Sequence, residues 1–521
     1  MFNTYIGDYS KLDNFYDTNP FDDDKIKSKA VTLKNSKVKE EFIEALSEYH
    51  KYLDISESQE QQLLKFSEEG SIAIVTGQQL GVFGGPLFTI YKTITTILLA
   101  RKWEMKLGKP VIPVFWLADE DHDFEEIASV GIPNYDTFKT ISLNQEGNGH
   151  PVSVQEIKNT INNFSNSVRD ELSDTDFSES LFEQLENYYK EGKTHVQAFA
   201  KLIDAWFSKE GMLIVGSNFA PIKKIVADTF SNSISNSEQI FEALNSKSEQ
   251  LEEEYHRQVI LGDSNLFLID PEQGRLKLEK SEGDWKAGSL TFSTEKLIEM
   301  IEVHPQNFSP NVFLRPIIQD KLLPTLGYVA GPGELAYYGQ MKDLYPLFNL
   351  DMPVIFPRLS ITLIESGIER IMEKLPFAMC SYNQRIEDLE VAYVDHANSK
   401  DIEGIFSLWK TAINETAKTP SDFISEIDPT LEGTTGKVIA GFGNEIDKLK
   451  GKVYRSIKQQ EQTQLSRISK IKSQLFPNGL QERSVSPVYF MNKYGQDIWT
   501  NILKDFEKDK LDLTIHHIVS L

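Results

Sequence analysis

The chain has 521 residues, 40% apolar and 25% charged, with a formal net charge of −24 and one cysteine. So acidic a balance excludes a nucleic-acid or anionic-membrane surface, because phosphate needs a basic face. A single cysteine excludes an internal disulfide and a cysteine zinc cluster, which suits a reducing cytoplasm.

The length exceeds what one core comfortably fills, so a main domain with appendages is expected. The first 24 residues, MFNTYIGDYSKLDNFYDTNPFDDD, are acidic and carry no basic leader or apolar run, so no signal peptide is expected. In KVKEEFIEALSEYHKYL, from Lys37, the residues Phe42, Leu46 and Tyr49 recur at helical spacing. Ile72 to Val75 read as a short buried strand, followed by a loop holding Gly77, Gly81, Gly84 and Gly85. Pro86 then suits the first turn of a helix that runs to about Leu107 and stops at Gly108. The apolar tract inside that helix is interrupted by Lys92 and too short to span a bilayer. Val111 to Leu117 form the next strand, and strand, helix, strand at this spacing predicts a parallel sheet.

Residues 135–260 read as a mostly helical insertion, broken by a strand near Met212. SNLFLIDPEQGRLKL reads as strand, turn, strand. VFLRPII, LGYVAG and PVIFPR read as strands, with a helix from about Gly333, which makes a second α/β half. Residues 361–475 read as helical. Phe442, Ile446, Leu449, Val453 and Ile457 alternate by threes and fours, and Leu465, Ile468, Ile471 and Leu475 resume the pattern. A single helix of about 40 residues there would be about 60 Å long and would project as an antiparallel coiled coil. The expected organisation is therefore an α/β Rossmann-like core in two halves (1–134 and 261–360), a connecting insertion (135–260), a helical coiled-coil domain (361–480) and a segment returning to the core (481–521). Within that last segment His516 and His517 are expected on a final strand, and Cys380 is expected to be a small buried hydrophobe.

Three stretches carry candidate chemistry. In TGQQLGVFGGPLFTIYK, a glycine loop opens a helix, and such an end offers free N–H groups and a positive dipole to an anion. Gly77, Gln78, Gln79, Gly84, Gly85 and Lys92 are the candidates there, although the pattern is neither G-x-G-x-x-G nor a Walker A loop. In VFWLADEDHDFEEI, six carboxylates gather around His122 just after a buried strand, at the carboxyl edge of the expected sheet. Alternation should send Asp119, Asp121 and Asp123 one way and Glu120 and His122 the other. A histidine flanked by aspartates is held in one tautomer with raised basicity, which suits acid–base work. Glu125 and Glu126 suit the first turn of a following helix. A solvated cap and a metal site are the competing readings of this stretch, the second weakened by the lack of another histidine at ligand spacing. In LRPIIQD and YVAGPGELAYYGQ, Arg315 with Asp320 offers carboxylate or phosphate capture, and Gly331, Gly333 and Glu334 open a helix. Arg358 is a similar cation, and pairing with a structural carboxylate is the plainer reading of both arginines.

These stretches together resemble the BshC family, cysteine-adding enzymes of bacillithiol biosynthesis. The matching pieces are VTGQQLGVFGGPLFTIYKTIT, PVFWLADEDHDFEEI, FSPNVFLRPIIQDKLLPTLGYVAGPGELAYYGQ, FPR and LFPNGLQERSVSPVYFMNKYG, in the family's order over nearly the whole chain. The resemblance implies a homodimeric protein whose core is similar to the nucleotidyl-transferase folds of class I aminoacyl-tRNA synthetases. It also implies the joining of cysteine to the amine of glucosaminyl-malate. The synthetases' histidine motif and KMSKS loop have no counterpart here. That reaction needs an activated carboxylate, so ATP or ADP is the expected cofactor, with magnesium accompanying the nucleotide and Gly77 to Lys92 as its cradle. It needs a general base, His122 or a flanking aspartate. Asp119 or Asp121 could hold the cysteine ammonium, and Arg315 or Arg358 the malyl carboxylates. A non-catalytic nucleotide-binding scaffold with a coiled-coil interaction arm, and a metal-assisted hydrolase built on DEDHDFEE, are the alternatives.

Overall fold

A computed structural model of the chain describes residues 1–33, 40–281, 283–397, 401–507 and 511–521. The helix expected around Phe42 is Glu40–Leu53, and residues 37–39 of that stretch lie outside the described residues. The chain divides into two compact units, one comprising residues 1–132, 140–361 and 482–517, the other residues 133–139, 362–481 and 518–521.

The first unit is built on a five-stranded sheet of β1 (Ile72–Gln78), β2 (Val111–Leu117), β3 (Leu213–Val215), β4 (Thr325–Ala330) and β5 (Val354–Pro357). All pairings are parallel, in the order β5-β4-β1-β2-β3. The sequence reads as continuous apolar runs in these strands because both faces are covered; every residue of β2 and β4 is buried. The helix Leu87–Leu107 lies over β1 and β2 and ends in a left-handed Gly108. Ile72, Ile74, Val111, Leu326, Val329 and Phe356 close a core with Trp103, each such side chain worth about 1.5–3 kcal/mol when buried.

From β1 the chain adds β2 and β3 on one side, then crosses to add β4 and β5 on the other. The order therefore reverses between β1 and β4, and open α/β sheets bind ligands outside the carboxyl ends at such a point. The strand near Met212 is β3, an edge of this sheet, although it lies inside the stretch expected to be helical insertion.

Two expectations fail locally. VFLRPII is not a strand but the start of the helix Leu314–Leu322. Asn311 caps it by accepting from Phe313 N and Leu314 N at 2.9 and 3.0 Å, and Leu314, Ile317, Ile318 and Leu322 share its buried face. Cys380 is exposed, not buried.

In the second unit, helices Ile402–Ile427 and Glu432–Gln460 pack together, joined only by the short turn Pro429–Leu431, so they run antiparallel. The 40-residue helix does not form. It breaks at Glu461 and resumes as Gln462–Leu475. Leu465, Ile468, Ile471 and Leu475 are buried in a cluster with Ile364, Ile368, Tyr382 and Leu389. In the hairpin itself Ile446 is buried, but Phe442 and Leu449 are 55% and 42% exposed. The region from 361 also opens on a strand, Ser360–Ile364, which pairs with the terminal strand His516–Ser520.

Candidate functional site

A crevice of about 500 Å³ opens at the carboxyl ends of β1, β2 and β4, where the strand order reverses. Gly77, Gln78 and Gln79 line it from β1, Trp116 and Ala118 from β2, and Tyr328, Gly331, Gly333 and Glu334 from β4 and the helix Pro332–Tyr338. Arg315 and Gln319 enter from the helix Leu314–Leu322, Arg358 from the end of β5, and Arg483 from the segment after the coiled coil. Three stretches singled out in the sequence thus meet in one place.

Lys92 is 1% exposed and ties the crevice floor together. Its ammonium lies 2.6 Å from a Glu334 carboxylate oxygen, donates to the Gly77 carbonyl, and reaches Gln78 Oε1 at 3.3 Å. Burial lowers its pKa while Glu334 partly restores it. Glu334 also accepts from Tyr328 Oη at 2.7 Å and from Gly331 N at 2.8 Å. Arg358 is likewise engaged, in a fork to both oxygens of Glu482 at 2.9 and 2.6 Å.

The glycine loop does not supply a phosphate cradle. Gly84 has φ +94°, and a Cβ there would come within 2.8 Å of Trp206 and 3.1 Å of Pro487, so it is packed over by side chains. Gly84 N and Gly85 N donate to Gly81 O and Val82 O, and Leu87 N at the helix start donates to Val485 O at 2.9 Å. Gly84 and Gly85 thus serve the turn, and with Lys92 held by Glu334 the expected nucleotide-binding set does not fit a phosphate at this loop.

The acidic stretch splits by depth. Asp119 and Glu120 are 0% and 1% exposed and face the interior. Asp119 accepts from Tyr49 Oη at 2.7 Å and from Ser217 N and Asn218 N at 3.3 and 3.1 Å, so it joins the ends of β2 and β3 to the helix Glu40–Leu53. Burial and the neighbouring Glu120 raise its pKa. Glu120 pairs with buried Lys223 at 3.0 Å and accepts from Ser217 Oγ at 2.8 Å. The anticipated alternation fails because the strand ends at Leu117.

Asp121 does reach the crevice. Gln79 Nε2 donates to it at 2.9 Å, Arg275 and Arg315 approach at 3.3 and 3.5 Å, and its pKa falls to about 2, because these arginines outweigh its burial. His122 lies outside the crevice lining, half-exposed, with Nδ1 3.2 Å from Arg275. Asp123 caps the short helix Phe124–Ile127 through Glu126 N. Asp320 is buried away from the crevice, accepting from Tyr345 Oη at 2.8 Å, and burial raises its pKa to about 6. Arg315 therefore faces Asp121 and not Asp320. Among the described residues no three His, Cys, Asp or Glu side chains converge as metal ligands.

Two crevice residues, Glu126 and Arg483, and one beside it that holds Asp121, Arg275, escaped the sequence reading. Glu126 lines the crevice on its exposed lip, with its pKa raised by partial burial and by Asp121 and Asp123. Its place one turn after the Asp123 cap was legible only as helix chemistry. Arg275 sits on the hairpin Leu266–Asp270 and Gly274–Lys277, where nothing in the alternation marks it. Arg483 lies within a piece that carried the family resemblance, but no local pattern set it apart.

Residues 1–359 match the family model described as the bacillithiol biosynthesis BshC N-terminal Rossmann-like domain, and residues 361–519 match the BshC C-terminal coiled-coil domain. A relative from Salinibacter ruber named "Putative cysteine ligase BshC" is 32% identical over 87% of this chain and 83% of its own length. Relatives of the same name from Oceanobacillus iheyensis and Bacillus cytotoxicus are 30% and 28% identical, over 90% and 99% of this chain and 88% and 98% of theirs. With a Rossmann-like core, a helical hairpin domain and the two domain models together matching residues 1–359 and 361–519, the chain belongs to the BshC family of bacillithiol biosynthesis.

Proposed function

We propose that the chain is a cytoplasmic ligase that joins the carboxyl of cysteine to the amine of glucosaminyl-malate, forming an amide in the last step of bacillithiol synthesis. The observation that carries this reading, beside the family, is the crevice at the strand-order reversal, lined by both carboxylates and arginines. A sugar amine must lose a proton to attack a carbonyl, and a carboxylate with raised pKa, open to the crevice, suits that task. Glu126 meets both conditions, whereas His122 stands outside the lining against Arg275. Asp121, held ionised by two arginines, is suited to an ammonium, and Gln79 fixes its orientation. Amide formation from a free carboxylate calls for an activated acyl group, and a nucleotide, ATP or ADP with magnesium, is the class of activator proposed. The glycine loop does not fit its phosphates, so that loop is given no part in the activation.

The helical hairpin supports a second element of the proposal, a homodimer. Ile405, Leu408, Phe423 and Ile427 are 62%, 70%, 63% and 69% exposed, an apolar surface that a single copy leaves in water. The same surface would serve an interaction arm if the core did no chemistry, so the ligase reading is decided by metabolites. Deleting the gene in its host should abolish bacillithiol and accumulate glucosaminyl-malate. Normal thiol levels in that strain, with no second copy of the gene, would refute the assignment.

A further inference from the structure

Among the described residues four cations line the crevice: Lys92, Arg315, Arg358 and Arg483. Two are fully engaged. Lys92 is closed by Glu334, Gly77 O and Gln78, and Arg358 by Glu482 and the Leu359 carbonyl. Arg315 makes one long contact, 3.5 Å to Asp121, and its buried Nε has no acceptor among the described residues. Arg483 is exposed and makes no ion pair or hydrogen bond among the described residues. The Trp116 indole N–H, on a side chain 2% exposed, also lacks an acceptor among them.

One exposed guanidinium without a partner and a second, 22% exposed, with a single 3.5 Å contact line the same cavity, and both have terminal N–H donors left for acceptors that a ligand brings. The backbone N–H groups of Gly84, Gly85 and Leu87 are taken by the Gly81, Val82 and Val485 carbonyls and are not free for a phosphate. Guanidinium forks match carboxylates and phosphates alike, and the amine substrate of the ligase reading ends in two carboxylates.

Resting on the ligase reading, we infer that the crevice grips the dicarboxylate end of its amine substrate with Arg315 and Arg483, and that Arg483 selects two carboxylates over one. Glu482 is the positioning residue for Arg483. It accepts from both terminal nitrogens of Arg358, from Ser360 Oγ at 3.0 Å and from Ile361 N at 3.2 Å, which fixes the backbone one residue before Arg483.

The test is calorimetric titration of L-malate, L-lactate and ADP into the full-length wild type, Arg483→Met, Arg483→Lys and Glu482→Gln. Malate and lactate differ by one carboxylate. Wild type should bind malate at least about tenfold more tightly than lactate, as expected for one charged hydrogen-bonded contact. Arg483→Met should remove that preference while leaving lactate and ADP within about twofold, and Arg483→Lys should recover part of it. Glu482→Gln should lower the preference through malate alone. Equal affinity of wild type for malate and lactate, an unchanged ratio in Arg483→Met, or a loss falling on ADP would each overturn the inference. The thiol profile of the deletion strain scores the ligase reading separately. Malate selectivity that follows Arg483 in a chain whose deletion leaves bacillithiol intact would keep the dicarboxylate site and discard the reaction.

Discussion

Lys92→Met removes the cation that braces the crevice floor and keeps the side chain's length. Cutting one partner out of a buried ion pair costs about 3–5 kcal/mol, because the other charge is left uncompensated. Glu334 retains Tyr328 Oη and Gly331 N as donors and its side chain is 24% exposed, so the lower end, about 3 kcal/mol, is expected. Unfolding entropy of about 2 cal/mol/K per residue over a few hundred cooperative residues turns that into a drop in Tm of about 4 °C. Differential scanning calorimetry of wild type, Lys92→Met, Glu334→Gln and the double variant measures both the loss and the coupling. The double variant should be no less stable than Lys92→Met, since the Glu334→Gln change makes position 334 neutral and leaves no charge stranded. A Tm for Lys92→Met within 1 °C of wild type, or strictly additive losses, would refute the brace.

Other expectations follow from single contacts. Asp121 has a folded pKa of about 2, below its unfolded value near 4, so its ionised form contributes stability that is present above about pH 4 and lost as the pH falls through 2. Asp121→Asn should therefore cost about 2 kcal/mol at pH 7 in urea unfolding and about half that at pH 3; an equal deficit at both would contradict the ion-pair account. Gly84→Ala forces a Cβ into positive φ and against Trp206, so the variant should lose more than about 2 kcal/mol, with no dependence on added nucleotide. Leu408→Asp should shift a dimer toward monomer in light scattering while sparing the melting curve of the core, and an unchanged mass would move the dimer surface elsewhere. Exposed Cys380 should react fully with a thiol reagent in the native state; protection until denaturant is added would place it in a core.

The sheet was legible because its strands are buried on both faces, so apolar runs bounded by Gly77 and Gly108 left little choice of element. The edge strand Leu213–Val215 was visible as a strand but not as a member of this sheet, since pairing with β2 is set by tertiary packing across about a hundred residues of chain. Leu314–Leu322 was misread because Pro316 and two adjacent isoleucines look extended, while the signal for helix lay upstream in the Asn311 cap. Arg358 was legible as a cation but not its partner Glu482, which is more than a hundred residues away in sequence. Depth misled most at the acidic stretch. Consecutive Asp119, Glu120 and Asp121 look equivalent as letters, yet Tyr49 and Lys223 draw the first two inward and Arg315 and Arg275 hold the third at the crevice.

If the crevice at the strand-order reversal is where the amine is deprotonated and acylated, its base should be indispensable to the thiol and dispensable to the fold. Complementation of a deletion strain with wild type and with Glu126→Gln, scored by bacillithiol content and by the Tm of each purified protein, addresses that directly. Wild type should restore the thiol. Glu126→Gln should lower its rate of formation by about 10²–10⁴-fold, the usual worth of a general base, with Tm unchanged because the side chain sits on an exposed lip. Full restoration by Glu126→Gln at equal expression would contradict the assignment of this crevice's base.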